Sequence, residues 1–174
     1  MELNSYGIRL KRLAYEDIEM LRLWRNSEFV NQYMEFRGHI TIEMQKKWFS
    51  NLDSDKDFYF VIYSNDYPIG LTEIKNIIDG VGNLGIFIAD EVSLKIPMLT
   101  YKVIFTIIDF SLYKLNLVKI KASILKNNIR AIRFNESLGF KLLDDQEEIK
   151  NKIYELDEKT YDQRSKKIKN IILR

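Results

Sequence analysis

The stretch from residue 99 to residue 115, LTYKVIFTIIDFSLYKL, limits the fold more than any other part of the chain. It is apolar on almost every side and is longer than an ordinary strand, which is typical of a helix with buried surroundings. Shorter segments that alternate apolar and polar residues stand before and after it. The stretch therefore predicts an α/β domain in which this helix packs against a sheet.

The rest of the chain reads as strands and helices in a definite order. A strand near residues 8–12 precedes two amphipathic helices, the second in ITIEMQKKWFSNL. The segments DFYFVIY and IGLTEIKNII flank an SNDYP turn, LGIFIAD follows a DGVGN turn, and VKIKASIL, FKLLDD and KIYELDE supply three later strands. We predict a mixed, mostly antiparallel seven-stranded sheet flanked by about four helices, with one domain over residues 1–160 and a basic C-terminal extension of it over 161–174.

Composition removes several classes of function. The chain has no cysteine, which excludes disulfides, thiolate metal sites and a cysteine nucleophile, and which fits a reducing compartment. A net charge of +2 is too small to indicate nucleic acid, and no window has the length of a membrane span or a signal peptide. We expect a cytoplasmic protein with a small-molecule substrate, without a metal, nucleic acid or membrane partner. A homodimer is an open option for its assembly.

The segment KASILKNNIRAIRFNESLGF, residues 121–140, carries the most specific motif. Asn128, Ala131, Glu136, Gly139 and Phe140 have the spacing Asn-x-x-Ala-x-x-x-x-Glu-x-x-Gly-Phe, which resembles the signature of the GNAT acetyltransferases. The order of elements over about the first 160 residues resembles that family as well. The same residues also fit a plain helix, in which Asn128 is only the N-cap and Gly139 only ends the helix.

The resemblance implies acetyl-CoA as co-substrate, held in a gap between the fourth and fifth strands. Unpaired backbone groups at such a gap need partners, and the amide chain of pantetheine can pair with them as an added strand would. Asn128 would hydrogen-bond the arm, and the N-terminus of the long helix would face the pyrophosphate. The residues expected on the cofactor are Ile86, Phe87, Ile88, Lys95, Leu99, Thr100, Asn128 and Ala131.

Two positions depart from the family. The loop before the long helix, EVSLKIPMLTYK, lacks the glycines of the family pattern, so we expect reduced access to positive φ and weaker approach to phosphate, with Lys95 and Lys102 as partial substitutes. At Asn135 many members carry a tyrosine that looks like the acid for the departing thiolate. Asparagine can only stabilise the thiolate by hydrogen bonding, so Tyr101 or solvent would supply the proton.

The acceptor is suggested by a second, shorter resemblance. Trp24, Arg25 and Asn26, followed by His39 and Ile40, resemble the GNAT branch that acetylates nucleotide-linked amino sugars, notably the N-acetyltransferase of pseudaminic acid biosynthesis. This implies that Trp24, Arg25, Asn26 and His39 bind the substrate, with arginine as a bidentate phosphate donor and the aromatic ring as a stacking face. A purely structural reading, with Trp24 in the core and Arg25 solvated, stays open.

The predicted reaction is direct attack of the acceptor amine on the thioester. His39, the only histidine, and Glu73, if the register turns it toward the gap, are the candidate bases, and Asn135 is the third predicted catalytic residue. The N–H near Ile88 would stabilise the oxyanion. The alternatives are an N-terminal protein acetyltransferase of the ribosomal type, or a catalytically degenerate GNAT-fold interaction domain.

Overall fold

The computed structural model describes residues 1–146 and 150–173. Within these ranges eight strands form one sheet in the order β1-β2-β3-β4-β5-β6-β8-β7. The strands are β1 (Glu2–Ser5), β2 (Ile8–Arg12), β3 (Phe58–Ser64), β4 (Tyr67–Ile78), β5 (Val81–Ile88), β6 (Lys119–Leu125), β7 (Lys141–Leu142) and β8 (Asn151–Asp157). The helices are α1 (Ile18–Asn26), α2 (Glu28–Asn31), α3 (Ile42–Ser50), α4 (Leu99–Tyr113), α5 (Ile129–Leu138) and α6 (Glu158–Ile172).

The predicted fold class is confirmed, with small differences in the counts. The sheet is mixed, because β5 and β6 run parallel while the other neighbouring strands pair antiparallel. The strand that the sequence did not predict is β1, which forms a hairpin with β2 through Tyr6 and Gly7, both at positive φ. Positive φ at both central residues is the type I′ geometry that joins two strands tightly. The additional helices are the single turn α2 and the C-terminal α6.

The two faces of the sheet are covered by different helices. In the middle of β3 and β4, even-numbered residues such as Phe60 and Ile74 pack with α4, as expected for side chains that alternate along a strand. Odd-numbered residues, such as Val61 and Leu71, pack in a second cluster with residues of α1 and α3. Phe105 of α4 has no exposed surface, which confirms the buried helix predicted from the apolar stretch.

The C-terminal helix α6 is tied to α4 by a group that we call the Asp109 network: Tyr6, Asp109, Tyr161 and Lys169. The two oxygens of Asp109 accept hydrogen bonds from the hydroxyls of Tyr6 and Tyr161 and from Nζ of Lys169, each at 2.7 Å. Residues 161–173, predicted as a basic extension of the domain, thus lie in α6 and at its end. None of the helices in the two described ranges has both the length and the apolar composition that a membrane crossing requires.

Candidate active site

The sheet opens between β5 and β6. Their parallel pairing joins only Val81–Leu84 to Lys119–Ala122, although β5 continues to Ile88 and β6 to Leu125. Beyond these pairs β6 keeps its antiparallel pairing with β8 as far as Leu125. A gap therefore separates Gly85–Ile88 from Ser123–Leu125. This is the splay that the sequence predicted between its fourth and fifth strands.

The backbone of β5 faces this gap at alternate residues. The N–H of Ala89 donates to the carbonyl of Ile69 at 2.8 Å, and Gly85 accepts from the Thr72 hydroxyl at 2.9 Å, so the odd-numbered residues face β4. In a strand of regular pairing the intervening groups point to the opposite edge. The N–H and C=O groups of Ile86 and Ile88 are thus available to a ligand in the gap.

Phe87, predicted to pair with the cofactor, is placed differently from its two neighbours. By the same alternation its backbone faces β4, opposite Leu71. Its side chain lies on the face of α1 and α3, where its ring centroid is 6.3 Å from that of Trp24 in an edge-on arrangement. Phe87 therefore separates the two faces of the site and does not offer its backbone to the gap.

The N-terminus of α4 provides free donors at one side of the site. Lys102 donates its N–H to Met98 at 3.0 Å and Leu99 donates to Ile96 at 3.2 Å, while the N–H groups of Thr100 and Tyr101 have no partner in the described residues. Such groups, with the helix dipole, attract an anion. Leu99 was predicted to contact the cofactor, but its N–H is engaged and its side chain is only 1 % exposed. The structure makes Leu99 a core residue.

The loop before α4 reaches positive φ although it contains no glycine, where the sequence predicted reduced access to that conformation. Met98, directly before α4, adopts the left-handed conformation at φ 58° and ψ 13°. The loop is held by Asp90, whose carboxylate accepts the N–H of Ser93 at 2.7 Å and its hydroxyl at 2.8 Å. Lys95 stands exposed at the end of the following 3-10 turn. The turn before the helix is therefore built without glycine, by a methionine in a strained conformation.

On the other side of the gap, Asn128 is both a cap and a free donor. Its Oδ1 accepts the N–H of Ala131 at 3.1 Å, while its Nδ2 makes no hydrogen bond within the described residues. Gly139 ends α5 at φ 100° and Phe140 is 2 % exposed, as predicted. The capping interpretation thus accounts for one atom of Asn128 and leaves the other for a ligand.

The two residues considered for thiolate protonation have other partners. Asn135 donates its Nδ2 to the Ala131 carbonyl at 2.8 Å. The hydroxyl of Tyr101 lies 3.0 Å from that of Ser137, and its ring packs against Phe134 at 4.8 Å between centroids. The bond of Asn135 lies within α5, whereas the contacts of Tyr101 join α4 to α5.

The opposite face of the sheet carries a group that we call the charged cluster: Arg25, Tyr59, Glu73 and Lys75. Glu73, whose side chain is 14 % exposed, accepts a hydrogen bond on Oε1 from Nζ of Lys75 at 2.7 Å. It pairs across the sheet with Tyr59 and with Gly85, the first β5 residue beyond the β6 pairs. A Cβ on Gly85 would lie 2.6 Å from Oε1, so this glycine leaves the room that the carboxylate occupies.

Arg25 of α1 lies beside these groups without a partner. Its Nε is buried, and its guanidinium makes no hydrogen bond or ion pair within the described residues. Burial lowers the pKa of Arg25, and the charge of Glu73 and the hydroxyl of Tyr59 partly offset that effect. Arginine stays charged in proteins even so. A buried donor atom without a partner is unusual in folded proteins, so Nε of Arg25 needs an explanation.

The electrostatics of the cluster assign its charges at neutral pH. Burial, and then the charge of Glu73, raise the pKa of Tyr59 to about 12, so this tyrosine is neutral. Burial opposes the charge of Lys75, but Glu73 and Tyr59 hold its pKa above the ordinary value. The cluster therefore holds two cations and one carboxylate, an excess of positive charge on the sheet face that α1 and α3 cover.

The other predicted substrate residues are partly structural. The side-chain amide of Asn26 donates to the Ile40 carbonyl at 2.9 Å and accepts the Ile40 N–H at 2.8 Å, which pins the loop before α3. Trp24 is half-buried against Phe87. His39 is exposed in that loop and forms no hydrogen bond or ion pair with the charged cluster. The structure thus brings Arg25 and Glu73 together, but it does not join His39 to them.

Sequence reasoning missed Lys75, Tyr59 and Gly85. A signal existed for Lys75, because residues two apart on a strand share a face. The positions of Tyr59 and Gly85 opposite Glu73 depend on the register of two hairpins, which a one-residue slip would reverse.

Comparison with known proteins identifies the family. The model of the acetyltransferase (GNAT) domain matches residues 10–161. Acetyltransferase PseH of Campylobacter jejuni (subsp. jejuni serotype O:23/36, strain 81-176) is 24 % identical over 142 residues, covering 79 % of this chain and 87 % of that protein. A solved structure described as apo FdhC, a nucleotide-linked sugar GNAT, superposes with a TM-score of 0.80 at 18 % identity and covers 97 % of each chain.

A third relative was solved with its ligands. The spermidine N-acetyltransferase of Vibrio cholerae, in complex with CoA and spermine, gives a TM-score of 0.76 at 19 % identity over 89 % of this chain and 98 % of that one. Because the domain match spans most of the sequence, and because the open strand edge and helix N-terminus fit a thioester arm and a diphosphate, the family assignment is secure. The chain belongs to the GNAT acetyltransferase family and is an acetyl-CoA-dependent N-acetyltransferase.

Proposed function

We propose that the chain transfers acetyl from acetyl-CoA to the amine of a nucleotide-linked amino-dideoxy sugar. The observation that carries this proposal is the charged cluster, in which a carboxylate lies beside a partly buried guanidinium whose Nε is buried without a partner. Glu73 would receive the amine and Arg25 the phosphate of the nucleotide, for which guanidinium is a bidentate donor. The similarity to PseH and to a nucleotide-linked sugar GNAT supports the same class of acceptor.

The co-substrate would lie along the gap. The backbone of Ile86 and Ile88 would pair with the pantetheine amides, and Nδ2 of Asn128 would donate to the arm as it passes Ala131. The N–H groups of Thr100 and Tyr101 would hold the diphosphate at the start of α4, with Lys95 as an additional cation. The side chain of Phe87 would close the acceptor face beside Trp24.

The reaction needs no covalent enzyme intermediate. The acceptor ammonium first gives a proton to Glu73, and the free amine then attacks the carbonyl carbon of the thioester. The C–N bond forms and the C–S bond breaks, the second proton leaves the nitrogen for solvent, and the thiolate takes a proton from solvent. The N–H of Ile88 would stabilise the oxyanion, and Asn135 would offer a hydrogen bond to the departing sulfur. His39 is the second candidate base, and its exposed loop also suits a contact with the nucleotide.

The charges of the cluster argue against other amines. Polyamines and basic peptides would bring additional cations to a face that already has an excess of positive charge, and like charges oppose binding there. A peptide groove of the N-terminal acetyltransferase type would need acidic residues in place of Arg25 and Lys75. A domain kept only for interaction would not need the free donors that line the gap.

An acceptor panel with two variants tests the proposal. Release of CoA is measured with a UDP-linked 4-amino-4,6-dideoxy sugar, spermidine and an N-terminal peptide, and the sugar is expected to give the largest kcat/KM. Glu73→Gln should lower kcat by about 10²- to 10⁴-fold, the range for loss of a general base, while His39→Ala should lower it less. Preference for the peptide or spermidine would refute the acceptor class, and a larger loss in His39→Ala would move the base to His39.

A further inference from the structure

When no acceptor is bound, the carboxylate of Glu73 is paired with Lys75. Its Nζ lies 2.7 Å from Oε1, and the side chains of Lys75 and Glu73 are 35 % and 14 % exposed. We propose that Lys75 makes the site selective for acceptors that carry an anionic group beside their amine. When the amine binds Glu73, Lys75 loses its partner and needs the anion of the acceptor as a new one. The inference rests on the proposed function in taking Glu73 as the group that receives the amine.

The first step is competition for one carboxylate. An acceptor ammonium that binds Glu73 weakens or replaces the bond from Lys75. The groups that face Glu73 are Arg25 from α1, Tyr59 from β3 and Lys75 from its own strand, while β5 presents the uncharged Gly85. With a simple amine bound, three cations would share one carboxylate. A partly buried cation left without a partner is unfavourable, so simple amines are disfavoured.

The second step is the rescue of that cation by the acceptor itself. A phosphate attached to the amino sugar gives Lys75 a new partner. It also gives Arg25, whose Nε is buried without a hydrogen-bond partner, its first partner. The ammonium of lysine sits on a flexible four-carbon stem with three donors, which suits a change of partner better than the planar guanidinium does. Lys75 therefore acts on specificity by linking recognition of the amine to recognition of the anion.

Matched acceptors test this link in the enzyme. One is the UDP-linked 4-amino-4,6-dideoxy sugar, and the other is the same sugar without its nucleotide diphosphate. In Lys75→Met the ratio of their kcat/KM values should fall by about tenfold or more, with the free sugar gaining, while Lys75→Arg keeps most of the ratio. Lys166→Met, the same charge change on exposed α6, should leave the ratio unchanged. Equal losses on both acceptors in Lys75→Met would overturn the proposal.

A spectroscopic measurement decides the resting state without any acceptor. In the protein labelled with ¹³C at the lysine ε-carbons, Lys75 should titrate above the range of the exposed lysines, and Glu73→Gln should bring its pKa down because burial remains and the carboxylate is lost. Ordinary titration of Lys75 in the wild type would overturn the pair. Wild-type inactivity on both sugars would instead refute the proposed function and, with it, the selectivity.

Discussion

The Asp109 network and the charged cluster are two polar groups of similar composition. The hydrogen bonds of the first are complete, and those of the second are not. In the first, one carboxylate receives two tyrosine hydroxyls and an ammonium, all at 2.7 Å. In the second, Glu73 receives only Lys75, and the guanidinium of Arg25 has no partner in the described residues. Buried polar groups are normally satisfied, so the incomplete group is where we propose that a ligand binds, and the complete one stabilises the fold.

The surroundings of the two lysines show the same contrast. Lys169 lies 4.6 Å from the centre of the Tyr161 ring and within 6 Å of those of Tyr6 and Phe105, so its charge is enclosed by aromatic faces. Lys75 has one ring at that range, Tyr59 at 5.8 Å, and it is more exposed. An enclosed lysine stabilises one arrangement, whereas a half-exposed one can change partners.

The largest expected effect breaks the complete group. Asp109→Ala leaves Lys169 and two hydroxyls without their acceptor, and for these partly buried groups the loss should be about 2–4 kcal/mol, below that of a fully buried ion pair. Urea unfolding should record this loss, while kcat per folded molecule stays near the wild-type value. Asp162→Ala removes an acceptor of a single exposed hydrogen bond and should cost less than about 1 kcal/mol. Similar losses in both variants would contradict the structural role of the network.

The next effect comes from the incomplete group and has the opposite character. Arg25→Met replaces a partly buried guanidinium, whose Nε has no partner, by an apolar chain of similar length, so the free energy of unfolding should stay level or rise. Loss of a charged hydrogen bond to the acceptor phosphate should weaken acceptor binding by about 1.5–3 kcal/mol, or roughly ten- to a hundredfold. Unfolding and acceptor KM are measured on one preparation. A large loss of stability with unchanged KM would make Arg25 a structural residue like Asp109.

Alkaline pH separates the two groups further. Burial and Asp109 raise the pKa of Tyr161, so in the unfolded chain this tyrosine loses its proton near pH 10 while the folded protein keeps it. The stability it contributes is complete below about pH 10 and is lost as the pH rises above that value. Tyr161→Phe should therefore flatten the fall of unfolding free energy above pH 10, by up to about 1.4 kcal/mol per pH unit. Tyr67→Phe, at the exposed start of β4, is the control. An unchanged slope in Tyr161→Phe would show that ionisation of Tyr161 does not contribute to the loss of stability.

The sequence predicted the parts of the molecule that depend on local pattern. The buried helix, the hairpin turns, the cap at Asn128 and the end of α5 at Gly139 follow from periodicity and turn chemistry. The register that places Glu73 against Tyr59 and Gly85 could not be read, because it depends on pairing between distant strands. The conformation of Met98 also escaped prediction, since tertiary packing imposes a positive φ that the residue itself disfavours.

Met98→Gly gives the smallest expected effect. It tests whether the free N–H groups at the start of α4 depend on a ligand, as we propose for Arg25, and not on side-chain packing. A residue with a Cβ in the left-handed conformation costs about 1–2 kcal/mol, and glycine relieves this while losing about 0.5–1 kcal/mol through a more flexible unfolded chain. The net gain in stability should be at most about 1.5 kcal/mol. Met98→Ala keeps the strain and should show no gain.

Affinity for acetyl-CoA tests whether the strained conformation of Met98 serves cofactor binding. The N–H groups of Thr100 and Tyr101 are oriented by the backbone conformation at Met98, which glycine adopts readily, so calorimetric titration of Met98→Gly should give the wild-type dissociation constant. If affinity instead falls by tenfold or more, the methionine side chain itself holds those donors in place. Side-chain packing would then fix the α4 terminus, as it fixes the Asp109 network. The charged cluster differs, because there we propose that a ligand completes the groups.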